Sequence, residues 1–316
     1  MTQAHELITM GRVGVDIYPE QIGVGLEEVT SFSKFLGGSA TNVAVAAARL
    51  GHRSAVVTRT GDDPFGRFIH QALQGFGVDD QWVTAVPDVP TPVVFCEIFP
   101  PDDFPLYFYR GAKAPDLHIS PDELDYDAIR AADIFWVTVT GLSQEPSREA
   151  HLAALEARKG HGTTVIDLDY RPMFWESSEA ATAEIAKALP FATVAVGNRE
   201  ECQVAIGETD PHAAAKALQA AGIELAVVKQ GPAGVLGVRG DESVVVPPVP
   251  VDVVNGLGAG DAFGGALVHG LLTGASLTDI LTGANAAGSF VAGQLSCADA
   301  MPTVAQLQTY LQENGR

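Results

Sequence analysis

The segment NGLGAGDAF, at residues 255–263, contains the side chain best suited to chemistry. A glycine-rich turn that opens a helix exposes unpaired backbone N–H groups at the positive end of the helix dipole, which favours a phosphoryl group. The residues of this expected anion cradle are Gly258, Ala259 and Gly260. Asp261 follows in the first helical turn, where it can accept a proton from an attacking hydroxyl. An ordinary glycine turn with a helix-stabilising aspartate explains the segment alone equally well.

Polar residues near the amino terminus are suited to binding hydroxyl groups. The run GGSATN, residues 37–42, precedes a helical pattern. Its two glycines let a ligand approach the backbone, and Asn42 can bind a hydroxyl from the helix. Asp16 follows the first strand-like segment, and its carboxylate can accept two hydroxyl hydrogen bonds. A turn or a helix cap is the alternative explanation for each of these features.

Composition restricts the partners that this chain can have. It has 316 residues, 47% of them hydrophobic, and a formal net charge of −20. We therefore expect a compact protein that binds neither nucleic acid nor anionic membranes. Cys96, Cys202 and Cys297 lack metal-type spacing, which favours free thiols in the reducing cytoplasm. We expect no signal peptide and no membrane span.

The hydrophobic pattern predicts alternating strands and helices. Predicted strands lie at residues 8–15, 54–58, 134–139, 164–168, 193–196 and 225–229, and predicted helices at 40–50, 63–76, 148–158 and 211–221, with three more helical patterns from Ala259 onward. This alternation is typical of an α/β fold with a mostly parallel central sheet, helices on both faces and ligands at the carboxyl ends of the strands. Two strand-rich insertions, about 17–36 and 90–111, predict a small β-sheet that is either a lid over the site or an extension of the main sheet.

Taken together, the early GG-x-x-x-N and the late GAGD resemble the ribokinase-like, or PfkB-type, carbohydrate kinases. The resemblance covers nearly the whole chain and implies one ribokinase-like domain, residues 1–316, that is a three-layer sandwich with an inserted β-sheet lid. Within the family, the chain is most similar to the branch that phosphorylates 5-dehydro-2-deoxy-D-gluconate in inositol catabolism. The segments that carry this similarity are VDIYPEQIG (15–23), FLGGSATNVAVAAARLG (35–51), TRTGDDPFGRF (58–68), LDYRP (168–172), VVKQGPAG (227–234) and NGLGAGDAF (255–263). Kinases of 2-dehydro-3-deoxygluconate, fructose or ribose are alternatives, as is a non-catalytic sugar or nucleotide sensor.

For the sugar, the resemblance implies contacts from Asp16, Gly38, Asn42 and Asp261. An acid sugar also needs a cation for its carboxylate. Arg110, at the end of the second lid strand, is the preferred reader of that group because a planar guanidinium binds a carboxylate in a bidentate manner. Arg171 is the second candidate, with ATP phosphate as its alternative partner.

For ATP and Mg²⁺, the resemblance implies a site at Asn198, Glu201, Lys229, Gly231, Gly234 and Asn285, beside Gly258 and Gly260 of the cradle. Glu201 is expected to act on Mg²⁺ through water, although a helix cap explains the N-x-x-E spacing equally well. Asn255 to Leu257 replace a polar pair that many relatives carry, so a requirement for a monovalent cation such as K⁺ stays open, with Asp252 as one potential ligand. The exposed edges of a strand-rich lid would also allow pairing with a second copy in a homodimer.

Overall fold

The computed structural model describes residues 4–315 and contains thirteen strands in that part of the chain. In chain order they are β1 (Leu7–Met10), β2 (Gly14–Pro19), β3 (Phe32–Gly37), β4 (Ser54–Gly61), β5 (Val83–Val86), β6 (Val93–Cys96), β7 (Leu106–Tyr109), β8 (Ile134–Thr138), β9 (Thr163–Asp167), β10 (Val194–Asn198), β11 (Leu225–Lys229), β12 (Val235–Arg239) and β13 (Glu242–Val246). Nine form a central sheet in the order β13-β12-β11-β10-β9-β8-β1-β4-β5. From β11 to β5 the pairing is parallel, whereas β12 and β13 add an antiparallel edge.

Helices cover both faces of this sheet. They are α1 (Ser39–Arg49), α2 (Pro64–Phe76), α3 (Tyr126–Ala131), α4 (Ser147–Arg158), α5 (Ser178–Ala188), α6 (Arg199–Ile206), α7 (Pro211–Ala220), α8 (Ala259–Leu272), α9 (Leu277–Ala292) and α10 (Val304–Glu313). Successive strand residues point to opposite faces, so Leu7 joins a core with α1, α8 and α9, and Ile8 joins a core with α4, α5 and α7. The predicted three-layer α/β sandwich is thereby confirmed. Within residues 4–315, every helix is too short or too polar to cross a membrane.

The remaining four strands form a separate, smaller sheet in the order β3-β2-β6-β7. Its strands come from two stretches of chain, residues 14–37 and 93–109, and β2 pairs with β6 in parallel while both outer pairs are antiparallel. Tyr18, Cys96 and Cys297 form a small apolar core beneath it, with Phe104 and Leu257 packed alongside. The predicted second sheet is therefore present, and it is not an extension of the central one.

One of the predicted strands was wrong. The predicted strand at 8–15 is two strands in different sheets, because the chain leaves the central sheet after Met10 and enters the small sheet at Gly14. Further along the chain, before the cradle, the last strand β13 ends at Val246. The prolines that follow lack the amide hydrogen needed for strand pairing, so residues 247–258 cross to α8 as a loop.

Candidate active site

Asp261 lies in the first turn of α8 and is held by two residues of α1. Ser39 Oγ donates a hydrogen bond to Asp261 Oδ1 at 3.0 Å, and Asn42 Nδ2 donates to Oδ2 at 2.8 Å. Burial raises the pKa of Asp261 above its usual value, although the hydrogen bond from Asn42 lowers it. The two glycine motifs of the sequence therefore lie side by side in the fold. The hydrogen bonds from α1 fix the orientation of the Asp261 carboxylate.

The turn before Asp261 has a backbone conformation that is compatible with the predicted anion cradle. Gly258 is the N-cap of α8 with a φ of 80°, and no side chain caps this end of the helix in the described structure. A Cβ on Gly258 would lie 2.6 Å from Cys297 Sγ, so both the backbone angle and the packing require glycine. The N–H groups of the first turn are consequently left to bind an external acceptor.

A cleft between the central sheet and the small sheet contains Asp261. Its lining includes the predicted residues Asp16, Gly38, Asn42, Arg171 and Gly258, the lid residues Tyr18, Val94, Leu106 and Phe108, and Arg12. Gly38 has a φ of 104°, and a Cβ there would lie 2.4 Å from the carbonyl oxygen of Arg12, so glycine is needed at this wall. The small sheet therefore covers the site, as expected of a lid.

Asp16 is a buried carboxylate in the wall of this cleft. Tyr18 donates a hydrogen bond to its Oδ2 at 2.9 Å, and the same hydroxyl lies 2.8 Å from Cys297 Sγ. Burial raises the pKa of Asp16 to about 6, against the hydrogen bond from Tyr18 and the charge of Arg12. Asp16 is thus placed to accept hydrogen bonds from a ligand in the cleft.

Asp169, just after β9, joins two arginines in the cleft. Arg12 Nη2 lies 3.1 Å from its Oδ2, and Arg171 Nη2 lies 2.7 Å from its Oδ1. Burial alone would raise the pKa of Asp169, but the charges of Arg171 and Arg12 lower it to about 2. Sequence reasoning missed Arg12, although its place directly after β1, at the ligand-binding edge of a parallel sheet, was a usable signal.

The predicted nucleotide residues lie at the ends of β10 and β11. Asn198 and Glu201 form a capping box on α6, so the helix-cap alternative is realised. Lys229 Nζ lies 4.0 Å from Glu201 Oε2, and a Cβ on Gly260 would stand 3.5 Å from the same Nζ. Burial alone would lower the pKa of Lys229, but Glu201 and neighbouring carboxylates raise it. The Lys229 ammonium group therefore lies beside the predicted anion cradle. Gly231 and Gly234 lie in the turn after Lys229.

Two predicted residues are engaged elsewhere. Arg110 Nη2 donates to both oxygens of Asp116, at 3.2 and 3.0 Å, and its guanidinium carbon lies 4.2 Å from the ring centroid of Phe174. Asn285, on α9, donates to the carbonyl oxygens of Val246 and Pro247, where it fastens the loop that leads to the cradle. Neither residue is in the lining of the Asp261 cleft.

The structure contains other cavities besides the cleft at Asp261. A cavity of about 370 Å³ lies beside β5 and is lined largely by apolar side chains such as Trp82, Ile119 and Leu124. This cavity does not have Asp261 in its lining, so we place the chemistry in the smaller cleft, where the carboxylates and guanidiniums converge.

Within residues 4–315, no three His, Cys, Asp or Glu side chains group as a metal site. Any bound Mg²⁺ would rely on phosphate and water oxygens for most of its ligands.

The family of the chain follows from this fold and site together with comparison to known proteins. The family model described as "pfkB family carbohydrate kinase" matches residues 4–304. The chain belongs to the pfkB family of carbohydrate kinases, as its two glycine motifs predicted.

Individual relatives agree with this placement. A 5-dehydro-2-deoxygluconokinase of Geobacillus thermodenitrificans is 34% identical over 97% of this chain and 93% of its own length. Among solved structures, a double mutant of Vibrio cholerae fructokinase with fructose, ADP and potassium is 27% identical, with a TM-score of 0.84 over 98% of this chain and all of its own. An aminoimidazole riboside kinase of Salmonella enterica, complexed with its riboside and an ATP analogue, is also 27% identical, with a TM-score of 0.81 over 96% of this chain and 99% of its own.

Proposed function

We propose that this carbohydrate kinase transfers the γ-phosphoryl group of ATP to the 6-hydroxyl of 5-dehydro-2-deoxy-D-gluconate, a step of inositol catabolism. The observation that carries the proposal is the position of Asp261, which lies beside an uncapped helix N-terminus in a cleft that also contains two guanidinium groups. The 34% identity to a 5-dehydro-2-deoxygluconokinase supports this substrate over a neutral sugar.

Asp261 is the base in this proposal, and the neighbouring side chains orient the sugar. Ser39 and Asn42 fix the carboxylate, which accepts the proton of the attacking hydroxyl. Asn42 Oδ1 is buried and has no hydrogen-bond partner in the described part of the chain, so it is available to a sugar hydroxyl, as is Asp16. Phosphoryl transfer has a loose transition state in which positioning and charge stabilisation dominate, so a weak base is sufficient.

The phosphate groups of ATP occupy the cradle at Gly258, Ala259 and Gly260, with Lys229 beside them. When bound, Mg²⁺ neutralises phosphate charge, and the buried carboxylate of Glu201 is placed to hold one of its waters. Gly231 and Gly234 follow Lys229 along the nucleotide site, and Asn198 fixes Glu201 through the capping box. Dependence on K⁺ with Asp252 as a ligand remains part of the proposal.

Arg171 is the better candidate for the carboxylate of the sugar, because it lines the cleft while Arg110 is paired with Asp116. Arg110 instead anchors the end of β7.

We also propose that residues 1–316 form one domain in which segments 17–36 and 90–111 close over the sugar and exclude water that would otherwise be phosphorylated. The three free, buried cysteines favour a cytoplasmic location. The exposed Tyr107 and Tyr109 on the outer lid strand are suited to a homodimer contact.

The test is a coupled ADP-release assay with Mg-ATP and four sugars: 5-dehydro-2-deoxy-D-gluconate, 2-dehydro-3-deoxygluconate, fructose and ribose. We expect the highest kcat/KM for the first. A preference for another sugar would replace the substrate and keep Asp261 as the base. Binding of ATP and sugar without ADP release would replace the kinase with a sensor.

A further inference from the structure

We infer that Arg12 is a specificity-determining residue which, together with Arg171, forms a two-guanidinium site for the carboxylate of the substrate. This inference rests on the proposed function and adds Arg12 to the residues assigned to the substrate there. Asp169 holds the two arginines side by side by accepting one hydrogen bond or ion pair from each. The sugar carboxylate would bind to the edges of the guanidiniums that face the cleft.

The geometry leaves donors on both arginines. Each guanidinium uses one terminal nitrogen on Asp169, at 3.1 Å for Arg12 and 2.7 Å for Arg171. The Nε atoms of both are buried and lack a hydrogen-bond partner among residues 4–315. A buried N–H without a partner costs free energy unless a ligand or water satisfies it. Both arginines line the Asp261 cleft, and guanidinium donors that lack a partner there match an acceptor with several lone pairs, which describes a carboxylate.

The local charge also favours an anion. Both guanidiniums are permanently protonated and share a single carboxylate, so the Arg12, Asp169 and Arg171 group carries one net positive charge. Asp16 and Asp261, the carboxylates among the lining residues of the cleft, are assigned to the sugar hydroxyls in the proposed function. In a chain whose overall net charge is −20, this is a site where an anionic sugar is attracted.

Arg12 also connects the substrate site to the lid. Its guanidinium carbon lies 5.9 Å from the ring centroid of Phe108, on β7. Its side chain is 12% exposed and extends from the short connection between the central and small sheets. A carboxylate bound to Arg12 would therefore lie beneath the lid, where bulk water competes little for the donors. A neutral sugar of the same size offers these donors only hydroxyl oxygens, which are weaker acceptors than a carboxylate.

The alternative is that Arg12 only holds Asp169 in position through their ion pair and does not contact the substrate. Three variants separate the two roles: Arg12→Gln, Arg12→Lys and Arg171→Gln. The control is Arg130→Gln, which breaks an ion pair with Asp127 on the exposed surface of α3, away from the cleft. For each variant we would measure the Kd of 5-dehydro-2-deoxy-D-gluconate and of ATP by calorimetry, kcat and KM, and the melting temperature.

If Arg12 binds the carboxylate, Arg12→Gln raises the Kd and KM for the acid sugar by about 10- to 100-fold, the range for a hydrogen bond to a charged group. The Kd of ATP and kcat change much less, Arg12→Lys falls between, and Arg130→Gln matches the wild type. An unchanged Kd of the acid sugar in Arg12→Gln, or an equal loss of sugar and ATP binding, would overturn the inference. Wild-type protein that rejects the acid sugar would instead refute the proposed function.

Discussion

Replacing Asp16 by asparagine should stabilise the folded protein while weakening its activity. Asp16 is 8% exposed, and burial raises its pKa from 3.8 to about 6 despite the hydrogen bond from Tyr18. A carboxyl group with a raised pKa binds its proton more tightly in the folded state than in the unfolded state. Ionisation of Asp16 therefore lowers the free energy of unfolding at every pH at which the carboxyl group loses its proton. The neutral amide of Asp16→Asn removes this loss.

The size of the effect depends on pH. A rise in pKa from 3.8 to about 6 corresponds to roughly 3 kcal/mol at about 1.4 kcal/mol per unit. The gain from Asp16→Asn is absent below about pH 4, grows between pH 4 and 6, and is constant above. With an unfolding entropy of about 2.1 cal/mol/K per residue, the full gain over 316 residues raises the melting temperature by about 4.5 °C.

Calorimetric melting at pH 4 and pH 8 measures this gain directly. The matched control is Asp241→Asn in the exposed turn between β12 and β13, for which we expect the same melting temperature as wild type at both pH values. Sugar KM should rise in Asp16→Asn, since the carboxylate accepts two hydroxyl hydrogen bonds and the amide oxygen fewer. A variant no more stable than wild type at pH 8, or stabilised equally at pH 4, would refute the reasoning.

Three further substitutions test the site. Asp261→Asn should retain ATP and sugar binding while kcat falls at least 100-fold, the usual minimum for loss of a general base, and an unchanged kcat would remove Asp261 as the base. Arg110→Ala leaves the buried Asp116 unpaired, so it should lower the melting temperature and reduce kcat/KM equally for acid and neutral sugars; a loss confined to acid sugars would restore Arg110 as the carboxylate reader. Gly258→Ala forces a side chain towards Cys297 at a positive φ, so the KM of ATP should rise at least tenfold, whereas a normal KM would contradict the cradle.

Much of the fold was predictable because its signals are local. Strand β11 lies at the predicted residues 225–229, and α8 begins at the predicted Ala259 because a glycine turn and a helical pattern meet there. Gly11, Arg12 and Gly14 interrupt the apolar pattern of residues 8–15 at the break, but they do not show that the two halves join different sheets. Hydrophobic pattern reports burial, and it does not report which of two sheets buries a residue.

In the candidate site, too, the local motifs were predictable and the contacts between distant residues were not. Sequence identified Asp261, its cradle, Asn42 and the N-x-x-E pair as separate local motifs, each with an ordinary structural explanation. The meeting of Asp261 with Ser39 and Asn42 spans 222 and 219 residues, and only the packing of α8 against α1 creates it.

The amino-acid sequence by itself determined the alternation of strands and helices, the two glycine turns and the resemblance to carbohydrate kinases, because periodicity and turn chemistry are properties of neighbouring residues. Tertiary structure alone decided which arginines face the cleft. It paired Arg110 with Asp116 and joined Arg12 to Arg171 through Asp169. The physical reason is that a guanidinium on a long, flexible stem points to the partner that folding brings within reach, and no spacing along the chain specifies that partner.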